Sequence, residues 1–257
     1  MPHDKYLRRA PTQWMSGDGL PTSAASLTFK PEKPLCTDYK GEQLIRLKVI
    51  VGSRRPNRSA DLVVPWIERR VVDRGTFDVD LLDLKDWNLP LFQEHPGSIG
   101  DMNDPVYSQP IVREWNHKIR EAEALLIVTP EYLHGMPGLL KNALDNVFLS
   151  FAFRNKPVAA VSYSTGIAGG SRALENLAHV ALEAEMILLR NTVIIPFVDT
   201  AFDTSGSPAN PMTDAAATVM LEDLEWWSRV MTDARASGQL PPGSARVRNI
   251  LASGKRT

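Results

Sequence analysis

Three short stretches gather residue types suited to holding a flat, phosphorylated molecule. The first, "GSRRPNRS" (52–59), follows an apolar run and puts a glycine, two serines and three arginines into one turn. Gly52 permits a tight turn, Ser53 and Ser59 offer hydroxyl donors, and backbone N–H groups entering a helix form an anion site. Arg54, Arg55 and Arg58 can add charge-assisted bonds to phosphate oxygens. A solvated basic turn with an ordinary N-cap is the competing reading, and the position at the end of an apolar strand favours phosphate. No Gly-Lys-Ser/Thr triplet occurs, and the turn's single glycine does not match G-x-G-x-x-G. A terminal monophosphate remains.

The second stretch, "TPEYLHGMPGLLKNALDN" (129–146), restricts its backbone with Pro130, Gly135, Pro137 and Gly138 and lets it approach a flat ligand, on which Tyr132 can stack. The third, "SYSTGIAGG" (162–170), again offers hydroxyls and glycines. His134 sits in the second loop, where a plain loop role outweighs substrate contact. Glu131 is better suited to a structural role than to acid catalysis. His3, His95, His117 and His179 are scattered without metal-ligand spacing, so no metal site is expected.

The elements between these loops follow from hydrophobic periodicity. "LIRLKVIVG" (44–52), "EALLIVT" (123–129) and "KPVAAVSYS" (156–164) are apolar runs suited to strands buried on both faces, while "FDVDLLDL" (77–84) alternates. "MILLRNTVIIPF" (186–197) supplies a fifth strand. Helical spacing follows the turn at 60–72, where Pro65 should kink or delay the helix. It recurs at 111–122, 139–149 and 173–185. Strand and helix alternate, which predicts an α/β fold: a doubly wound, five-stranded parallel sheet with helices on both faces. Such sheets bind ligands beyond the carboxyl ends of their strands, which makes the three loops neighbours.

Residues 1–44, with prolines at intervals and one cysteine, Cys36, are expected to form an extended N-terminal arm. Residues 85–110 are rich in Pro, Gly, Asp and Asn and predict a long functional or mobile loop. Residues 45–198 then form the ligand-binding domain, and 199–257 a C-terminal loop and helical extension. Its helix, about 212–234, carries Trp226 and Trp227 with an apolar face that could cover the sheet or meet another subunit. A formal net charge of −1, from 29 basic and 30 acidic residues, argues against nucleic acid. No apolar run reaches the roughly 20 residues of a membrane span. The lone cysteine and the lack of a secretory signal pattern point to a cytoplasmic protein.

The motifs "GSRRPNRS" (52–59), "VTPEYLHGMPGLLKNALDN" (128–146) and "KPVAAVSYSTGIAGGSRALENL" (156–177) resemble those of the NADPH-dependent FMN reductase family of flavodoxin-like proteins, over about 45–198. The resemblance implies that Ser53, Arg55, Arg58 and Ser59 hold the FMN phosphate. It places Pro130, Glu131, Tyr132 and Leu133 along the isoalloxazine, and Ser162, Ser164, Thr165 and Gly166 near its other edge. The family often has asparagine where this chain has Leu133, which offers no side-chain amide. It further implies hydride transfer from NADPH or NADH to N5 of FMN, then reduction of a small acceptor: a quinone, an azo compound, a metal oxyanion or free flavin. The flavin carries the chemistry, so no protein residue is assigned a catalytic role. A homodimer or homotetramer is implied as well. The alternatives are a non-catalytic electron carrier, against which the near-neutral charge counts, and an FMN-binding regulatory or scaffold module.

Overall fold

A computed structural model describes residues 43–102, 104–238 and 240–254. The arm expected at 1–44 lies outside the described residues up to position 42, as does Cys36.

Strands β1 (Ile45–Val51), β2 (Phe77–Asp83), β3 (Ala124–Pro130) and β4 (Pro157–Tyr163) alternate with helices α1 (Ala60–Arg74), α3 (Pro110–Glu121) and α4 (Gly138–Asp145). A one-turn helix α2 (Pro96–Ile99) precedes α3. Helix α5 (Ser171–Glu183) leads to β5 (Ile187–Leu188) and β6 (Val193–Ile195), and the chain ends in α6 (Pro211–Ala236) and α7 (Gly243–Ala252). The sheet is wholly parallel in the order β2-β1-β3-β4-β5, with β6 also on β4. This is the flavodoxin-like doubly wound order.

Every residue of β3 and β4 is buried, because helices cover both faces. Side chains alternate between two cores. Ile50, Leu125, Ile127, Val158 and Ala160 face α3, α4 and α5, while Leu47, Val49, Val51, Leu126 and Val161 face α1 and α6. Ala217, Met220, Leu221 and Leu224 of α6 belong to the second core, so this helix lies on the sheet; Trp226 stays half exposed. Helix α1 runs through Pro65, which sits on its exposed side.

The fifth strand differs from the single run expected at 186–197. Leu188 pairs with Val158 and Val193 with Val161, so two extra residues are accommodated between β5 and β6 and the strand divides. There Leu189 turns inward and Asn191 bonds Asp223 of α6 at 2.6 Å. The long loop after β2 is also more ordered than its composition suggests. Glu94 accepts from Ser108 N (2.8 Å), Ser108 Oγ (2.6 Å) and Ser98 Oγ (2.5 Å), and Asn142 of α4 holds Pro90 O and Phe92 N.

These contacts set the acid limit of the fold. Burial alone would raise the carboxyls of Asp80 and Asp83, but Lys48 and Lys118 at the first, and Arg58 with Lys85 at the second, hold both below the ordinary range. Hydrogen bonds from Ser108 and Ser98 do the same for Glu94. Groups with depressed folded values stabilise the fold above their unfolded values, near 4, and lose that contribution as the pH falls through the folded ones. Urea unfolding at pH 7 and pH 3 should therefore show a clear drop at pH 3, and equal midpoints would sink this reading.

Candidate active site

Parallel pairing brings the carboxyl ends of β1, β3 and β4 side by side, with Val51 opposite Val128 and Thr129 opposite Ser162. The loop after β1 starts at Gly52, whose N–H bonds Val128 O at 2.8 Å. A Cβ there would lie 3.2 Å from Leu140 and 3.3 Å from Thr129 Oγ1, so the strand end is packed hard against β3 and α4. Among the described residues, the backbone N–H groups of Ser53, Arg54, Arg55 and 57–60 have no protein acceptor. They gather at the N-terminus of α1, where the helix dipole favours an anion. Ser59 occupies the N-cap without a capping bond and reaches Asp199 Oδ1 at 3.3 Å.

Arg54 and Arg55 are exposed, and Arg55 stands 5.3 Å above the Tyr132 ring. Arg58 is placed differently from the phosphate ligand expected of it. Its guanidinium turns inward, with Nη1 at 2.6 Å and Nη2 at 2.5 Å from the Asp83 carboxylate, Nε 3.0 Å from Asp61, and a further bond to Ser53 O. These bonds outweigh the effect of burial and raise its already high pKa. Most of its donors are committed, and its work is to fasten the turn to the end of β2.

The loop after β3 is tied to the first by a 2.8 Å hydrogen bond between Ser53 Oγ and Tyr132 OH. Tyr132 and Gly135 exchange backbone bonds of 2.9 and 3.1 Å around a two-residue turn. Both turn residues, Leu133 (φ 47°) and His134 (φ 65°), are left-handed, the geometry of a type I′ turn that Asn and Gly satisfy best. Leu133 is fully exposed there, so it accepts strain without a packing reward. Leu133→Asn is expected to raise the unfolding free energy by about 1 kcal/mol, the order of the left-handed penalty, read from the urea midpoint. A lower midpoint would mean that the leucine is held by something the turn does not show.

Glu131 accepts from the Arg172 guanidinium and, at 3.2 Å, from the Arg172 backbone N–H in the first turn of α5. Its carboxylate thus ties this loop to α5. Pro130 ends β3 opposite Tyr163. In the loop after β4, Ser162 is fully buried and donates to Gly169 O at 3.1 Å, whereas Ser164 donates to Gly166 O at 3.1 Å on the surface. Thr165 and Gly166 are exposed, and the N–H groups of 165–168 lack protein acceptors among the described residues. Gly169 (φ 60°) and Gly170 (φ 91°) let this loop lie against the sheet.

Asp83 and Arg172 escaped sequence reasoning, since each acts through a partner far along the chain. Asp83, the last residue of its strand, carried a positional signal. Tyr163 was missed as well: its hydroxyl is buried without a partner among the described residues, and Tyr132, Arg58, Asp61 and Asp83 are close enough to act on it. Burial pushes its pKa far up, so it stays a neutral donor. The three loops together present clustered N–H donors and hydroxyls around an aromatic ring, a donor set for an anion joined to a flat heterocycle.

The model of the family described as NADPH-dependent FMN reductase matches residues 45–200. The chain is 36% identical over 136 residues to an NAD(P)H-dependent FMN reductase of Schizosaccharomyces pombe, covering 53% of this chain and 65% of that one. It is 29% identical over 190 residues to a 2-hydroxy-1,4-benzoquinone reductase of a Burkholderia species, covering 72% and 97%. The flavoenzyme NAD(P)H:(acceptor) oxidoreductase FerB of Paracoccus denitrificans has a similar fold, with a TM-score of 0.61 at 20% identity over 73% of this chain and 99% of that one.

Proposed function

We propose that this chain, which belongs to the NADPH-dependent FMN reductase family, is an FMN-dependent NAD(P)H oxidoreductase that reduces a small quinone-type acceptor. The observation that carries this reading is the set of N–H groups of 53–55 and 57–60 without protein acceptors among the described residues, beside Ser53, Arg55 and Ser59 at the start of α1. That donor set fits a terminal phosphate, and the exposed N–H groups of 165–168 fit the polar edge of a flavin ring. Bound there, FMN would supply the two-electron chemistry that links NAD(P)H to the acceptor.

The chain's own residues bind and orient. Ser53, Ser59 and Arg55 hold the phosphate end, and Arg58 keeps their turn in shape through Asp83. Pro130, Glu131, Tyr132 and Leu133 border one side of the ring by backbone and ring contact, with the Glu131 carboxylate fixing this loop to α5. Ser164, Thr165 and Gly166 border the other, and buried Ser162 supports them. The FMN contacts fall within the binding domain at 45–198, with Asp199 just beyond it on Ser59. We read the protein as a cytoplasmic homodimer or homotetramer; the exposed ring of Phe148 in the groove between α4 and α5 supports association.

A visible spectrum of the purified protein should show flavin, and anaerobic titration with NADH and NADPH should bleach it. A protein that stays colourless with added FMN would overturn the reading. Ser53→Ala and Arg55→Ala should each weaken FMN retention about tenfold, as expected for loss of one charge-assisted contact. Unchanged retention in both would remove the phosphate assignment. Sedimentation velocity tests the oligomer.

A further inference from the structure

The amino-terminal edge of the sheet carries a second polar cavity, of about 810 Å³. It lies at the opposite end of the strands from the flavin loops, roughly 20 Å away for a strand of this length. Its charged lining is Arg46, Arg120, Arg154, Lys156 and Arg235, against one carboxylate, Glu123. The volume falls in the range of small-molecule pockets.

Part of this charge serves the fold. Helix α3 ends here, and the carbonyls of its last turn want cationic partners. Lys156 Nζ donates to Ile119 O and, at 3.0 Å, to Arg120 O, and Arg46 Nε donates to Glu121 O at 2.9 Å. Arg154 is bound by Glu185. The remaining cations exceed what capping requires. Arg235 holds Asn155 O through Nη1 at 2.7 Å and Thr232 through Nη2, leaving Nε without an acceptor among the described residues. Among the described residues Arg120 makes only long contacts, 3.2 Å to Met102 O and 3.5 Å to Ser150 O, both from Nη2. Its Nε and Nη1 have no acceptor among the described residues. Planar guanidinium groups with open N–H edges, gathered in one concave site, match phosphate oxygens.

From this cavity and its open arginine donors, we propose a second ligand site that binds a diphosphate-bearing small molecule at the end of the sheet opposite the flavin. The state of Lys156 agrees with an anion being wanted there. Burial, together with Arg235, Arg120 and Arg46 and opposed only by Glu123, pulls its pKa down to about 7. An anion entering the cavity would restore the proton to Lys156 and quiet the repulsion among these four cations. Binding of sulfate, whose charge is constant over the range, should therefore be tighter at pH 6 than at pH 8.5. Equal affinities would remove Lys156 from the site.

The test uses the full-length protein loaded with FMN, with calorimetric titration of inorganic pyrophosphate and, separately, of ADP at constant ionic strength. Saturable binding at one site per chain is expected, weakened about tenfold in Arg120→Gln and in Arg235→Gln. It should be unchanged in Arg55→Ala, which alters only the flavin end. Similar affinities for pyrophosphate and ADP would assign recognition to the diphosphate, and much tighter ADP binding would extend the site to a nucleotide. No saturable binding to the wild type, equal affinity in both glutamine variants, or loss in Arg55→Ala would each overturn the proposal. The wild-type titration decides even if a variant fails to fold.

Discussion

Gly170→Ala is expected to lower the unfolding free energy by roughly 3–5 kcal/mol, from a left-handed backbone penalty added to overpacking. A Cβ at this position would stand 2.7 Å from Ser162 Cβ and 2.8 Å from the Tyr163 backbone nitrogen, with φ at +91°. Neither neighbour can yield, because Ser162 and Tyr163 belong to the central strand β4. Gly169 faces the same difficulty, with Ile194 at 2.5 Å and the Pro196 nitrogen at 2.9 Å. Gly138→Ala is the control, since a Cβ there meets nothing within 4 Å and the residue opens helix α4. It should be neutral or stabilising by about 0.5–1 kcal/mol. Urea unfolding of the two variants measures these differences, and a small effect at Gly170 would mean that the loop after β4 can lift from the sheet.

Arg58→Ala should cost about 3–5 kcal/mol, because it leaves Asp83 buried without its main partner. Both side chains are nearly inaccessible, at 5% and 8%. Asp83→Asn should cost less, since the amide oxygen still accepts one bond from the guanidinium. Replacing the pair together, Arg58→Met with Asp83→Leu, should recover much of the stability, as buried ion pairs often exchange for apolar pairs without loss. FMN retention separates the two roles of the pair. If it merely stabilises the fold, retention returns with stability in the double variant. If it shapes the turn, as its bond to Ser53 O indicates, retention stays low.

That the sheet is parallel and covered on both faces could be read in advance because β3 and β4 are buried along their whole lengths and so are almost entirely apolar. A strand in that position has no polar side to confuse its pattern. The division between β5 and β6 was marked only by the polar Arg190-Asn191-Thr192 inside "MILLRNTVIIPF", and three polar residues do not say by how much the register shifts. The three loops were legible from glycine, serine and proline, whose conformational needs are local. Side-chain allegiance was not. Arg58 looked like a phosphate ligand because its partner Asp83 lies 25 residues on, and Glu131 could not be tied to Arg172 across 41 residues before the register of β3 and β4 was known. The charged cavity at the other end of the sheet was invisible for the same reason, its cations coming from β1, α3, α6 and the approach to β4.

The divided strand also bears on how the protein behaves when crowded. An open sheet has two borders where unpaired backbone groups invite another molecule to add a strand. On one side that invitation is cut into pieces of two and three residues that provide no long straight template. On the other, β2 places exposed Asp78 and partly exposed Asp80 along its length, charged positions that discourage a further strand from pairing there. Both borders of this sheet thus work against strand-to-strand joining between copies.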